Sequence, residues 1–282
     1  MDHALKPATG GAASVPPSRG RIWFEALAGT QSARAPVLSG SAEMAGERAQ
    51  LIAVVPDPQQ RFPRASDNVV GLEQGWLLAQ AVRAVIEADA AAPIKRPIVA
   101  LVDVKSQAYG RREELLGIHL ACAAAVDAYA SARLAGQPVI ALIVGPAMSG
   151  AFLAHGYQAN RILALDSPGT MVHAMGREAA ARVTRRSLEA LDALGETIIP
   201  MAYSMQAFNQ LGLLSELISG VNADAPSDAD LDTVRQALGA AIADTRAGAN
   251  DLSARLGSPA AHKNRAASIE VRRRLAQQWQ AE

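Results

Sequence analysis

Two unbroken apolar runs of strand length constrain this chain more than any other feature: Pro97-Ile-Val-Ala-Leu-Val-Asp103 and Val139-Ile-Ala-Leu-Ile-Val144. A strand with one face in water alternates apolar and polar residues. A run without alternation is covered on both faces, as parallel strands flanked by helices are. Between the two runs lies an Ala-rich helical segment, Glu113 to Leu134, closed by Gly136-Gln137-Pro138. A helix of that length carries a chain from one parallel strand to the start of the next. The pattern predicts an α/β fold.

The same alternation extends in both directions. Residues 50–55 read as a strand ended by Pro56-Asp57-Pro58, and residues 59–68 as a polar loop. Leu72, Trp76, Ala79, Val82, Val85 and Ile86 keep helical spacing and predict a helix over Leu72–Ala88. Residues 104–112 read as a polar loop, Gly145-Pro146 as a turn into a helix near Ser149, and Arg161–Leu165 as a third strand. Beyond Gly176 the chain is predicted mostly helical: a polar linker from Asp224 to Asp230, a helix over 231–244, and a basic helix over 263–280 carrying Arg272–Arg274. Residues 1–19, with Pro16-Pro17 and several Gly and Ser, read as a flexible tail, and Ile22-Trp23-Phe24 as the first anchoring cluster. The expected organisation is a tail over 1–19, a domain over 20–245 and a helical extension over 246–282.

Composition excludes several classes of function. Aromatic residues make up 4% of the chain, so the core is built from small aliphatic side chains. Lys+Arg and Asp+Glu are equal at 27 each, which gives no electrostatic case for a nucleic-acid or membrane-surface partner. The one cysteine, Cys122, forms no disulfide within the chain and supports no Cys-based zinc cluster. No signal-peptide pattern is seen near Met1. The longest apolar stretch, Pro138–Leu153, is interrupted by Gly145, Pro146 and Gly150 and is too short to span a bilayer. A cytoplasmic location is the expectation.

The chemistry is expected where the second apolar run ends. Ligands in such sheets sit beyond the carboxyl ends of strands. There Ala147-Met-Ser-Gly-Ala151 is expected to open a helix whose first amides lack intrahelical partners, and Gly150 admits close approach to the backbone. The residues allow a second reading, in which Ser149 caps the helix and Gly150 serves packing alone. Among the histidines, His119 and His155 read as core or interface groups, whereas His173 is expected to return to the same sheet edge as Ser149. Asp57, Asp67, Asp103 and Asp166 read as turn residues, and Cys122 as a small buried hydrophobe. Gly71 and Gly75 complete no dinucleotide fingerprint, and no Walker-type phosphate loop is present.

Several segments carry a resemblance. Pro97–Val104 followed by Gly110, Glu114, Gly117-Ile118 and His119 is similar to acyl-CoA carboxyltransferase domains. So are Pro138–Val144 with Ser149-Gly150-Ala151, and Leu165-Asp-Ser-Pro168 through Met175-Gly176. These place the chain in the crotonase-like superfamily, whose members stack strand–strand–helix turns into a spiral with helices packed outside. Arg61-Phe-Pro-Arg-Ala65, Val70-Gly-Leu-Glu-Gln-Gly-Trp76 and Arg21-Ile-Trp-Phe24 resemble, more narrowly, the gamma subunits of biotin-independent malonate decarboxylases. The resemblance covers roughly residues 20–245.

That resemblance implies a carbon–carbon lyase subunit. With a beta subunit it would convert malonyl-S-acyl carrier protein to the acetyl thioester and CO2. The partners implied are the beta subunit, the acyl carrier protein and a transferase subunit. No cofactor is bound directly, because the substrate rides on the carrier protein's prosthetic group. The site residues implied are the amides of Gly150 and Ala151 as an oxyanion hole, Ser149 to shape the turn, and His173 to orient water or relay a proton. Three other readings stand beside it. One is a non-catalytic structural partner of the beta subunit. Another is a peptidase of the caseinolytic type, since Ser149 and His173 are spaced as in that family. The last is a free-standing hydratase or isomerase, for which no carboxylate pair is evident.

Overall fold

The computed structural model describes residues 18–280. Most of the expected N-terminal tail therefore lies outside the described residues. Its last two positions already belong to the folded body: Ser18 caps a helix by accepting from the Arg21 N–H, and Arg19 is that helix's first residue.

In chain order the elements are α1 (Arg19–Ala28), β1 (Val37–Met44), β2 (Glu47–Val54), β3 (Val69–Val70), α2 (Leu72–Ala88), β4 (Ile98–Val104) and β5 (Ser106–Gln107). There follow α3 (Arg111–Leu115), α4 (Ile118–Leu134), β6 (Val139–Met148), α5 (Ser149–Ala154), β7 (Arg161–Leu165) and β8 (Met171–His173). The last are α6 (Arg177–Thr184), α7 (Leu188–Thr197), α8 (Met205–Gln210), β9 (Glu216–Ile218), α9 (Asp228–Ala247), α10 (Pro259–Asn264) and α11 (Ala266–Trp279).

The main sheet runs β1-β2-β4-β6-β7-β9. Every neighbouring pair is parallel except the β1–β2 hairpin. Each new strand is laid down on the same side of the last, so the chain advances in one direction. This is the arrangement that the crossover pattern predicts. The sheet has a core on each face. Ile98, Ala100 and Val102 point into one with α2 and α4, whereas Val99 and Leu101 point into the other with Trp23 of α1 and Leu238 of α9. That two-sided burial is why the strands read as unbroken apolar runs. Each large aliphatic side chain buried this way is worth about 1.5–3 kcal/mol relative to exposure.

The structure corrects the sequence reading at several points. β1 falls where no strand is predicted. The helix expected over 113–134 is two helices, because Gly117 takes φ 84° and breaks it. The strand expected to stop at Val144 runs on through Gly145-Pro146 to Met148. The mostly helical C-terminal part contains β9, and the last basic helix is split into α10 and α11 at Arg265.

Among the strands, β6 does most to position a site, because it changes partner along its length. Ile140–Ile143 pair with β7, and Pro146–Met148 pair with β8. β4 is irregular between Val102 and Val104 at the same level. The end of β6 thus leaves the main sheet and delivers Ser149 beside the short strands β5 and β8.

Candidate functional site

The site is built where β6 passes into α5. Ser149 makes that change of direction alone, with φ 60°, a left-handed conformation that costs a non-glycine residue about 1–2 kcal/mol. α5 has only six residues, so any helix-dipole contribution is small, less than the sequence reading of a helix opening there implies. β8 runs parallel to the end of β6 with Met148 opposite His173, which brings His173 to the edge that carries Ser149. From the other side Val172 N–H donates to the Tyr203 carbonyl, and Ser204 bridges to Met171.

These elements enclose a cavity of about 430 Å³. Ser149, Gly150 and His173 line it together with apolar side chains that include Phe152, Leu153 and Ile199. No carboxylate is among the lining residues. A largely apolar cavity with a few polar groups is the usual form of a small-molecule site. Ala151 does not line it. Ala151, the other residue of the expected two-amide cradle, is fully buried.

The Gly150 amide is also not open. Its N–H donates to the Gln107 side-chain oxygen at 2.8 Å. Gln107 comes from β5, which pairs with β3 in the register Val70–Gln107. A side chain at Gly150 would meet that carboxamide, since a Cβ there would lie 2.9 Å from Gln107 Oε1. Two residues on, the Tyr109 hydroxyl lies 2.8 Å from Ser149 Oγ. Gln107 and Tyr109 fall in the stretch that reads only as a polar loop. Its position after a buried parallel strand is the one signal that could have marked them.

The loop is held from behind. Arg64 donates to the Tyr109 carbonyl at 2.8 Å and lies 3.8 Å from the buried Glu113 carboxylate. Gln74 ties the neighbouring turn together, donating to the Ala65 carbonyl and accepting from the Gly71 N–H. The Arg61–Ala65 and Val70–Trp76 segments, which carry the narrower resemblance, therefore serve as the support of the 107–110 loop.

His173 is constrained by its own turn. Nδ1 lies 3.0 Å from the Met175 carbonyl and 3.2 Å from its N–H, and the ring stacks on Tyr203 at 4.0 Å between centroids. Burial lowers its pKa, opposed by the Met175 backbone bond, so the ring is neutral near pH 7. Ser149 is bonded to Tyr109 and His173 to Met175, and no bond joins the two among the described residues. A peptidase dyad is thus not formed, and the spacing in sequence does not become a nucleophile–base pair. The free-standing hydratase or isomerase reading lacks its carboxylates in the cavity lining as well.

The other sequence candidates are structural. His155 is fully buried, accepting from the Tyr129 hydroxyl at Nδ1 (3.0 Å) and donating from Nε2 to the Leu101 carbonyl (2.9 Å). Burial raises the pKa of the Cys122 thiol, the wrong direction for a nucleophile. No group of three His, Cys, Asp or Glu side chains able to hold a metal occurs among the described residues. No described helix is long and apolar enough to cross a membrane.

Known proteins resemble the chain in sequence and in fold. The family model described as MdcE, malonate decarboxylase gamma subunit, matches residues 65–279. The chain belongs to the malonate decarboxylase gamma subunit family. Membership reaches further toward the C-terminus than the residue 245 expected from sequence, and takes in α10 and α11. The chain is 55% identical to a chain of a Pseudomonas malonate decarboxylase hetero-tetramer in complex with coenzyme A, over 93% of this chain and 100% of that one, with a TM-score of 0.89. Against a Pseudomonas MdcD-MdcE hetero-dimer the values are 53% identity, 93% and 99% coverage, and 0.85. A curated relative, the malonyl-S-ACP:biotin-protein carboxyltransferase MADD of Malonomonas rubra, is 40% identical over 166 residues. That match spans 58% of this chain and 57% of the relative's length. The transcarboxylase 12S core, 19% identical with a TM-score of 0.55 over 75% of this chain and 36% of that one, shares the fold. The crotonase-like, carboxyltransferase-type architecture expected from the resemblance is the one observed.

Proposed function

We propose that this chain is the gamma half of a decarboxylase that acts on malonyl-S-acyl carrier protein. A beta subunit would complete the site, and a transferase and the carrier protein would complete the assembly. The observation that carries this reading is the 53–55% identity, over 93% of the chain, to chains of malonate decarboxylase assemblies. The cavity at the end of β6 supports it.

The chemistry asked of the site is limited. The bond between the α-carbon and the carboxylate breaks, CO2 leaves, and the electron pair moves into the thioester as an enolate. The α-carbon then takes a proton, giving the acetyl thioester. Such a step needs a hydrogen-bond donor aimed at the thioester oxygen, and each donor of this kind is worth about 2.7–4 kcal/mol of barrier. In this reading Gly150 N–H supplies one, and other donors come from the partner. Ser149 shapes the turn. The neutral His173 ring, its Nδ1 held by Met175, orients water or relays the proton through Nε2.

The test is to co-purify the chain with its beta subunit and measure CO2 release from malonyl-S-acyl carrier protein, with and without this chain. Release that depends on both subunits is expected. Equal release without the chain would overturn the reading. Normal release by a pair carrying Gly150→Val would leave it a structural partner only. A second reading is favoured by the name of the Malonomonas relative: transfer of the carboxyl group to a biotin protein. Product analysis in the presence of a biotinylated carrier domain separates free CO2 from carboxybiotin.

A further inference from the structure

We propose that the Gln107 carboxamide is an internal ligand of the Gly150 amide, which an acyl thioester must displace to reach its donor. This inference rests on the decarboxylase reading and deepens it. The bond is short and direct: Gly150 N–H to Gln107 Oε1 at 2.8 Å. Oε1 is the one atom of that carboxamide able to accept, which fixes its orientation. The group also lies close against the glycine. A Cβ on Gly150 would be 2.9, 3.0 and 3.2 Å from Gln107 Oε1, Cδ and Nε2. It therefore covers the side of the Gly150 backbone to which the N–H points, so an acyl carbonyl reaches that N–H only by taking the place of the carboxamide.

The chemistry of the two occupants is the same. A carboxamide and a thioester each present an sp² carbonyl oxygen, and one N–H makes one full-strength bond. The two compete. Gln107 satisfies the part-buried amide, and its departure would give that amide to the substrate. The anchor is firm while the side chain is free to turn. β5 is paired with β3, Ala108 N–H donates to the Val70 carbonyl, and Arg64 holds Tyr109. Exchange of the two acceptors thus needs rotation about the Gln107 side-chain bonds and no movement of the loop.

Gln107→Met keeps the length and removes the acceptor. Gln107→Glu keeps the acceptor, strengthens it by its charge, and sets a negative group where the malonyl carboxylate approaches. In the complex with the beta subunit, KM for malonyl-S-acyl carrier protein is expected to fall about 2- to 10-fold in the Met variant, the factor carried by one net neutral hydrogen bond. It is expected to rise in the Glu variant. A KM that moves the same way in both, or in neither, would overturn the proposal. Amide hydrogen exchange at Gly150 gives a readout without turnover. Exchange is expected to speed up in Gln107→Met and to slow again on adding acetyl-S-acyl carrier protein. Unchanged exchange in that variant sinks the internal-ligand proposal alone. Absence of CO2 release by the unaltered complex, with exchange at Gly150 still faster in Gln107→Met, sinks the decarboxylase reading and displacement by a malonyl thioester with it, and leaves only the Gln107–Gly150 bond standing.

Discussion

Ser149 holds a left-handed backbone so that β6 can turn into α5 within one residue, and Gly150 comes next because the Gln107 carboxamide lies across it. Both conditions predict measurable effects. Ser149→Gly relieves the left-handed strain and is expected to raise stability by about 1 kcal/mol, read as a higher urea midpoint. A lower midpoint would show that the Tyr109–Ser149 bond outweighs the strain. Gly150→Val places a branched side chain against Gln107 and over the donor. It is expected to lower CO2 release by the complex about 10²–10³-fold while co-purification persists, the loss typical of one oxyanion donor. At this scale the sequence is legible where strand geometry fixes position. The helix expected to open after the second apolar run marks Ser149 and Gly150, although the strand itself runs on to Met148, and the next strand's return marks His173. Gln107 and Tyr109 are not legible, because no periodicity says which side chains of a polar loop fold back onto a site.

The elements that read correctly are long and have a period. α2 follows its predicted bounds, and β4 and β7 lie within a residue of theirs. The missed ones are short or break a local rule. β3, β5, β8 and β9 have two or three residues each, too few for any alternation. β1 closes on β2 through Ala45-Gly46, both at positive φ, where an Asn-Gly pair would have announced the hairpin. Pro146 argues against a strand and so hides the second half of β6, yet its ring is tolerated where the strand leaves the main sheet. The α2–α4 contact, in contrast, depends on small residues that the sequence displays. A Cβ on Gly75 would lie 2.7 Å from the backbone carbon and oxygen of Ala121. Since the obstacle is backbone, the helices must part. Gly75→Ala is expected to destabilise the chain by about 1–3 kcal/mol despite alanine's better helix propensity, measured by chemical denaturation. A stabilised variant would mean that the two helices adjust without cost.

Across the whole molecule, two buried groups, one at the end of α5 and one on β4, make stability depend on pH with opposite signs. His155 joins α4 to β4 as a neutral ring, and burial lowers its pKa from 6.5 to about 4. As pH falls below 6.5 the unfolded chain gains a proton that the folded chain refuses. Stability is therefore lost between about pH 6.5 and 4, by roughly 3 kcal/mol in all at 1.36 kcal/mol per unit. His173, also lowered, adds to the loss. Asp103, at the irregular end of β4, accepts from the Gly20 N–H at 3.0 Å and from Asn68 Nδ2 at 2.9 Å, and burial raises its pKa. The folded chain takes up that proton before the unfolded chain does, so stability is regained as pH falls from the raised value toward 3.8. The two effects offset one another on the way down. Replacing His155 by Gln should flatten the fall in urea midpoint between pH 6.5 and 4. Asp103→Asn, which keeps an acceptor for Gly20 and cannot titrate, should steepen it. If both variants follow the parent's slope, neither group carries the acid sensitivity, and the exposed carboxylates paired with arginine, such as Glu270 with Arg273, would have to.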